Sequence, residues 1–184
     1  GISGVAKVDV RTKNLTKRLH PGDIAIIDHV DLDRVAAESL LERGVAAVVN
    51  AAMSISGRYP NLGPEILVAA GVPLIDDAGV AVLGDIREGD VVRIDGESVY
   101  VGDQLVAKGV AQTVDTVQLA MAEARSGLAV QLESFAANTM EFLRRERDLL
   151  LDGVGVPGIK TDLEGKQVLV VVRGYHYRED LQVL

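Results

Sequence analysis

An α/β fold is predicted for this chain, and three observations predict it. Two short apolar runs, 24–27 and 45–49, read as strands buried on both faces, with a stretch of helical period between them. An Asp95-Gly96 turn divides the alternating segment 91–101 into the two arms of a hairpin. From 114 to 151 there is no proline and a single glycine, Gly127, which predicts a long helical segment. The organisation expected is an α/β domain with mixed strands over 1–110, an amphipathic helical segment over 111–152, and a linker with the start of a further α/β domain over 153–184.

Each element has a local reason. Pro21-Gly22 followed by 23–28 reads as a turn and then a strand. Asp31 or Asp33 caps a helix over 34–43 whose apolar side carries Val35, Ala36, Leu40 and Leu41, with Gly44 as its stop. If that helix is a crossover, the strand 45–49 runs parallel to the first. Pro64 sits in the first turn of a short helix ending at Gly71, and 72–75 gives a third strand.

In the helical segment a seam recurs at steps of three and four: Val117, Met121, Ala124, Leu128, Leu132, Phe135, Thr139, Phe142 and Leu149, broken by Glu146. Unbroken, such a helix reaches about 55 Å at ~1.5 Å per residue. One small domain does not cover so long a stripe, so self-association is predicted, with Leu128, Leu132, Phe135 and Phe142 as its contacts. A helix packed along its own domain is the competing reading. Gly153 to Gly158 precedes a strand-like run and reads as a hinge.

The two ends carry expectations of their own. Residues 168–172 read as a fully buried parallel strand with only twelve residues after it, so the rest of an α/β domain is expected to be cut off or disordered. Gly1-Ile2-Ser3, without an initiator Met, is either a cloning remnant or the start of the ordered region.

Composition narrows the function classes. The 184 residues are 48% hydrophobic, enough for a core, and contain no cysteine, which excludes disulfides and thiolate metal sites. A net charge of −8 argues against general nucleic-acid binding. No apolar run approaches the ~20 residues of a membrane span, so a soluble, cytoplasmic chain is expected, with no direct membrane insertion. The first twenty residues run against the charge trend, with Lys7, Arg11, Lys13, Lys17 and Arg18 facing only Asp9. Contact with acidic lipid or a partner is one reading of this arm; a solvated start to the domain is the expected one.

The loop after the second strand carries the chemistry. Asn50, Ser54, Ser56, Gly57, Arg58, Tyr59, Asn61 and Gly63 bring backbone N–H groups, hydroxyls and one cation to a strand end, the ingredients of an anion or peptide pocket. A connection whose Gly and Pro only set backbone angles is the equal alternative. Asp28, His29, Asp31 and Asp33 crowd three carboxylates and an imidazole into six residues; N-capping is expected of them before metal binding, and likewise for Asp76-Asp77. No P-loop, nucleophile elbow or zinc motif occurs, so no catalytic residue, metal ligand or cofactor is assigned.

Pro21-Gly22-Asp23-Ile24, Gly71-Val72-Pro73, and Glu88-Gly89-Asp90-Val91-Val92 followed by Gly96 and Val99-Tyr100-Val101-Gly102 resemble the swivelling β/β/α domain that carries the phosphohistidine of phosphoenolpyruvate-utilising enzymes. Those enzymes place a histidine shortly before the helix leading to the Gly-Val-Pro-like turn. The histidines here are His20, His29 and His176, none within 58–64. Phosphotransfer needs an imidazole nucleophile, so the resemblance implies that fold turned to binding.

A second resemblance spans the chain. Arg11-Thr12-Lys13-Asn14-Leu15, Val48-Val49-Asn50-Ala51-Ala52, the loop 54–64, Gln131-Leu132-Glu133-Ser134-Phe135, Asp152-Gly153-Val154-Gly155-Val156-Pro157 and Val171-Val172-Arg173-Gly174-Tyr175 are similar to the SteA-like family of actinobacterial cytokinetic ring proteins. The resemblance implies a continuation into a thiamin pyrophosphokinase-like domain, whose acidic motif for metal and nucleotide would lie beyond Leu184. It further implies a non-enzymatic, cytoplasmic septation factor, homodimeric and recruited to the division septum at the inner face of the membrane. There it would act with a membrane-anchored, SteB-like partner to control cell-wall hydrolysis. The alternative is a nucleotide- or diphosphate-binding sensor, or a thiamin pyrophosphokinase-like transferase, acting through that further domain with the Arg58 loop closing on the diphosphate.

Overall fold

The structure, a computed structural model, describes residues 1–153 and, beyond them, 158, 160, 162 and 164–166. The strand predicted over 168–172 lies outside the described residues. The chain divides into two units, Gly1–Ala137 and Asn138–Leu184, with the division falling inside one helix.

In the first unit eight strands form a mixed sheet in the order β7-β6-β5-β1-β2-β3-β4-β8. The parallel part is β1 (Ile2–Asp9), β2 (Ile24–Ile27), β3 (Ala47–Asn50) and β4 (Leu74–Asp76). Its crossovers are α1 (Thr12–Leu15), α2 (Arg34–Glu42) and α3 (Gly63–Ala69). The antiparallel part is β5 (Val91–Asp95), β6 (Ser98–Val101) and β7 (Gln104–Lys108), joined to β1 through β5. On the far edge β8 (Val110–Ala111) pairs antiparallel with β4.

The period of two along each strand splits the core into two clusters, one per face. Ala25, Ile27, Val48 and Leu74 point to the face covered by Leu15, Leu40 and Leu67 of the three crossover helices. Ile24, Ile26, Ala47, Val49 and Ile75 point the other way, toward Val92, Ile94 and Val99 of the antiparallel strands and Val82 of α4 (Val82–Asp85). An α layer, the parallel strands and an antiparallel β layer are thereby stacked on two cores.

Two expectations are corrected and one open alternative is resolved. The basic N-terminus is solvated only in part: Arg11, Lys13 and Lys17 are exposed, but β1 lies within the sheet, with Ile2 paired to Ile94 and Ala6 to Ile24. Arg18 grips Glu88 with two hydrogen bonds, 3.2 and 2.8 Å, and donates to Asp9 Oδ2 at 3.0 Å, while Lys7 Nζ stands 3.8 Å from Glu88. The Arg11 N–H and then the Arg18 guanidinium hold Asp9 below the usual carboxylate range, and Arg18 does the same for Glu88. Asp33, not Asp31, caps α2, its Oδ1 accepting from Ala36 N–H at 2.8 Å. Val35 is off the apolar face: Ala37 and Leu40 are buried, and Val35, about 200° around the helix from Ala37 at ~100° per residue, is 72% exposed.

The long helix exists as α5 (Val114–Arg145), followed by α6 (Arg147–Asp152). Its first turns belong to the first unit's core, with Val117, Met121 and Ala124 buried.

Candidate functional site

Because β1 to β4 are parallel, their carboxyl ends line up along one edge of the sheet. The segment 51–62 leaves β3 there and is held by two buried carboxylates, each supplied by a different strand end.

Asn50, the last residue of β3, is fully buried. Its Oδ1 accepts from His29 N–H at 2.9 Å, and its amide donates to His29 O at 2.9 Å and to Ser54 Oγ at 2.7 Å. The Ser54 hydroxyl passes its own hydrogen to Asp76 Oδ1 at 2.7 Å, and Ser54 N–H lies 3.1 and 3.0 Å from the two carboxylate oxygens. Asp76 ends β4. Burial pushes its pKa up, opposed by the bonds from the Ser54 hydroxyl and backbone and from Asp77 N–H.

Asp31, in the β2–α2 turn, holds the rest of the loop. Oδ1 accepts from Ser56 N–H at 2.8 Å and from the Asn61 amide at 2.9 Å, and Oδ2 accepts from the Ser56 hydroxyl at 2.8 Å. To do so it adopts φ 56°, a left-handed conformation that aspartate tolerates better than most residues. The backbones join as well: Asp31 N–H donates to Met53 O and Leu32 N–H to Ser54 O, both at 3.0 Å. Gly63 N–H returns to Leu32 O at 3.1 Å, and a Cβ at Gly63 would overlap that same carbonyl.

The predicted site residues therefore fall into two groups. Asn50, Ser54, Ser56 and Asn61 meet one another, Asp31 and Asp76, so their hydrogen-bonding capacity is turned inward, and Gly63 admits the close approach of two backbones. Gly57, Arg58 and Tyr59 stand exposed at the tip, Gly57 at φ 88°. A Cβ at Gly127 of α5 would lie 3.5 Å from Gly57 O, so the helix passes beside this tip.

Among the described residues no buried side-chain nitrogen or oxygen lacks a hydrogen-bond partner. The Asp28–His29–Asp31–Asp33 group is dispersed into separate tasks. Asp31 holds the loop, Asp33 caps α2, and His29 Nδ1 lies 2.9 Å from Thr12 Oγ1. Asp31 and Asp76 are the residues that sequence reasoning undervalued. Their partners stand 25, 30 and 22 positions away, and no local spacing signals such a bond.

The predicted self-association residues change character along α5. Leu128 is half-buried, Leu132 is 58% exposed and Phe135 70%. In the second unit Phe142 is 56% exposed. No helix among the described residues is long and apolar enough to cross a membrane.

No protein-family model matches this chain, and no curated protein does. Among solved structures, 3-isopropylmalate dehydratase (LeuD) from Methanocaldococcus jannaschii is similar over 75% of this chain and 98% of its own, with a TM-score of 0.42 and 14% identity. A structure described as novel cellulases from microbes associated with the gut ecosystem is similar over 71% of this chain and 68% of its own, with a TM-score of 0.32 and 9% identity. At these levels neither carries a function to this chain.

Proposed function

We propose that this chain is a non-enzymatic binding module that self-associates through the distal part of α5 and presents the Arg58-Tyr59 tip to a partner. This is the role implied by its resemblance to the SteA-like family: a cytoplasmic septation factor that engages a membrane-anchored, SteB-like protein to control cell-wall hydrolysis. One observation carries the reading. The seam of α5 is buried at Val117, Met121 and Ala124 and then continues as exposed Leu132 and Phe135 within the same unit. Large apolar side chains in such a row gain about 1.5–3 kcal/mol each when covered, which favours a protein surface over water. The loop supports the reading from the other side, since its hydroxyls and amides are spent on Asp31 and Asp76 and leave no nucleophile–base pair at the tip.

Light scattering on the chain and on Leu132→Asp tests the self-association. A dimer mass that falls to the monomer in the variant supports it, and an unchanged mass would sink it. Capture of a synthetic peptide from the cytoplasmic segment of a SteB-like protein, lost in Arg58→Ala, tests the partner. Magnesium-dependent turnover of a nucleotide or of thiamin by the full-length protein would favour the sensor or transferase reading instead.

A further inference from the structure

The turns after β1 and β2 line an open cleft of about 620 Å³ that the loop and α5 do not use. That volume is within the range of small-molecule sites. Its polar groups are sorted by sign. On the β1 side stand Arg11 and Lys13, whose side chains make no hydrogen bond among the described residues. The nearby Asp9 is already ion-paired with Arg18 at 3.0 Å. On the β2 side stand two carboxylates, Asp33, occupied as the α2 cap, and Asp28, which makes no side-chain hydrogen bond among the described residues. Between them His29 is fixed through Nδ1 by the buried Thr12 hydroxyl, with Nε2 3.9 Å from Asp33. Val30 and Val35 complete the wall, 56% and 72% exposed.

The geometry points to a binding site for a small hydroxyl-bearing phosphate monoester, of about nucleoside monophosphate size. A monoester brings a charge of about −1.5 to −2 and three acceptor oxygens, enough to engage the guanidinium and the ammonium together. A carboxylate ligand offers one charge and two oxygens and leaves one cation unmatched. Asp28 is available to accept from a ligand hydroxyl, a contact that adds to the phosphate's own. Val30 and Val35 offer contact to an apolar ring. The site is independent of the self-association proposed above, because every residue in it lies before residue 40.

Calorimetric titration of the 184-residue chain with AMP, adenosine and inorganic phosphate tests the assignment. AMP is expected to bind at least about tenfold more tightly than either fragment, the scale of one charge-assisted hydrogen bond. The double substitution Arg11→Gln, Lys13→Gln is expected to weaken AMP by about tenfold to a hundredfold with an unchanged melting temperature, since both side chains are exposed. Ser39→Phe, which intrudes on the cleft from α2, is expected to weaken AMP binding. No heat with millimolar AMP, AMP binding unaltered by the double substitution, or phosphate binding as tightly as AMP would each overturn it. So would co-sedimentation with phosphatidylinositol vesicles without any response to AMP, which would place these cations on a lipid surface.

Discussion

The loop 50–64 and the distal half of α5 invert what their compositions advertise. The loop is rich in hydroxyl and amide side chains, yet Asn50, Ser54 and Asn61 are buried and bonded to one another or to Asp31 and Asp76. The helix carries the regular apolar seam, yet Leu132 and Phe135 face outward. Polar residues can enter a core when every group finds a partner. Apolar residues stay outside when their own domain has no surface left to offer. Composition thus shows what a side chain prefers, and only the fold shows whether it obtained it.

Mutating the loop's anchors should break that contrast most sharply. Asp76→Ala leaves the Ser54 N–H and hydroxyl without their acceptor in a buried environment and should cost about 2–6 kcal/mol, since each of the two orphaned buried donors costs about 1–3. Denaturant midpoints measure the loss, and amide exchange at 50–62 should rise first. Gly63→Ala comes next. Its Cβ would meet Leu32 O and Asp33 O, both backbone, so relief requires moving the β2–α2 turn, and about 1–3 kcal/mol is expected. If Gly63→Ala melts with the parent, the close backbone approach is not what this position provides.

How much of this was legible in the sequence follows from where each signal resides. The strand 24–27, the Asp95-Gly96 hairpin, the Pro64 helix start and the Gly44 stop are set by neighbours in the chain, and they read correctly. β1 does not announce itself, because Gly4 and Ala6 fill the places of large apolar residues and Lys7 alternates outward to Glu88. β8 is two residues long, and no pattern fits in two residues. In the candidate site the residue types were legible and their direction was not. Asn50 and Ser54 look identical in sequence whether they face a ligand or Asp76, because the deciding partner comes from another strand.

A smaller effect sharpens the electrostatic side of the comparison. The buried Asp76 has its pKa raised above 3.8, so between that value and its folded value the native state holds more protons than the unfolded chain. Its contribution is fully present below the unfolded pKa and is lost as pH rises through the folded one. Glu88 and Asp9 are shifted down from 4.5 and 3.8, so theirs is present above those values and lost as pH falls. Subtracting the stability profile of Asp76→Asn from that of the parent should isolate a difference that declines as pH rises above 4. A rising difference would mean that the Ser54 bonds, not burial, dominate this carboxylate.

The smallest expected effect is at the tip. Arg58 is exposed on a loop whose stability comes from Asp31 and Asp76, so Arg58→Ala should shift stability by no more than about 0.5 kcal/mol, as surface substitutions do. Leu132→Ser on α5 should be equally silent in a dilute monomer, for the matching reason that its side chain is not covered by its own unit. The two substitutions part company only with concentration. Leu132→Ser should remove any concentration dependence of the melting temperature, because a self-associating fold is stabilised by mass action, whereas Arg58→Ala should leave that dependence intact. If both variants melt like the parent at every concentration, the exposed stripe is not where two copies meet. If Arg58→Ala alone unfolds the protein, the loop's framework extends to its tip, and the division between anchored base and presented cation fails.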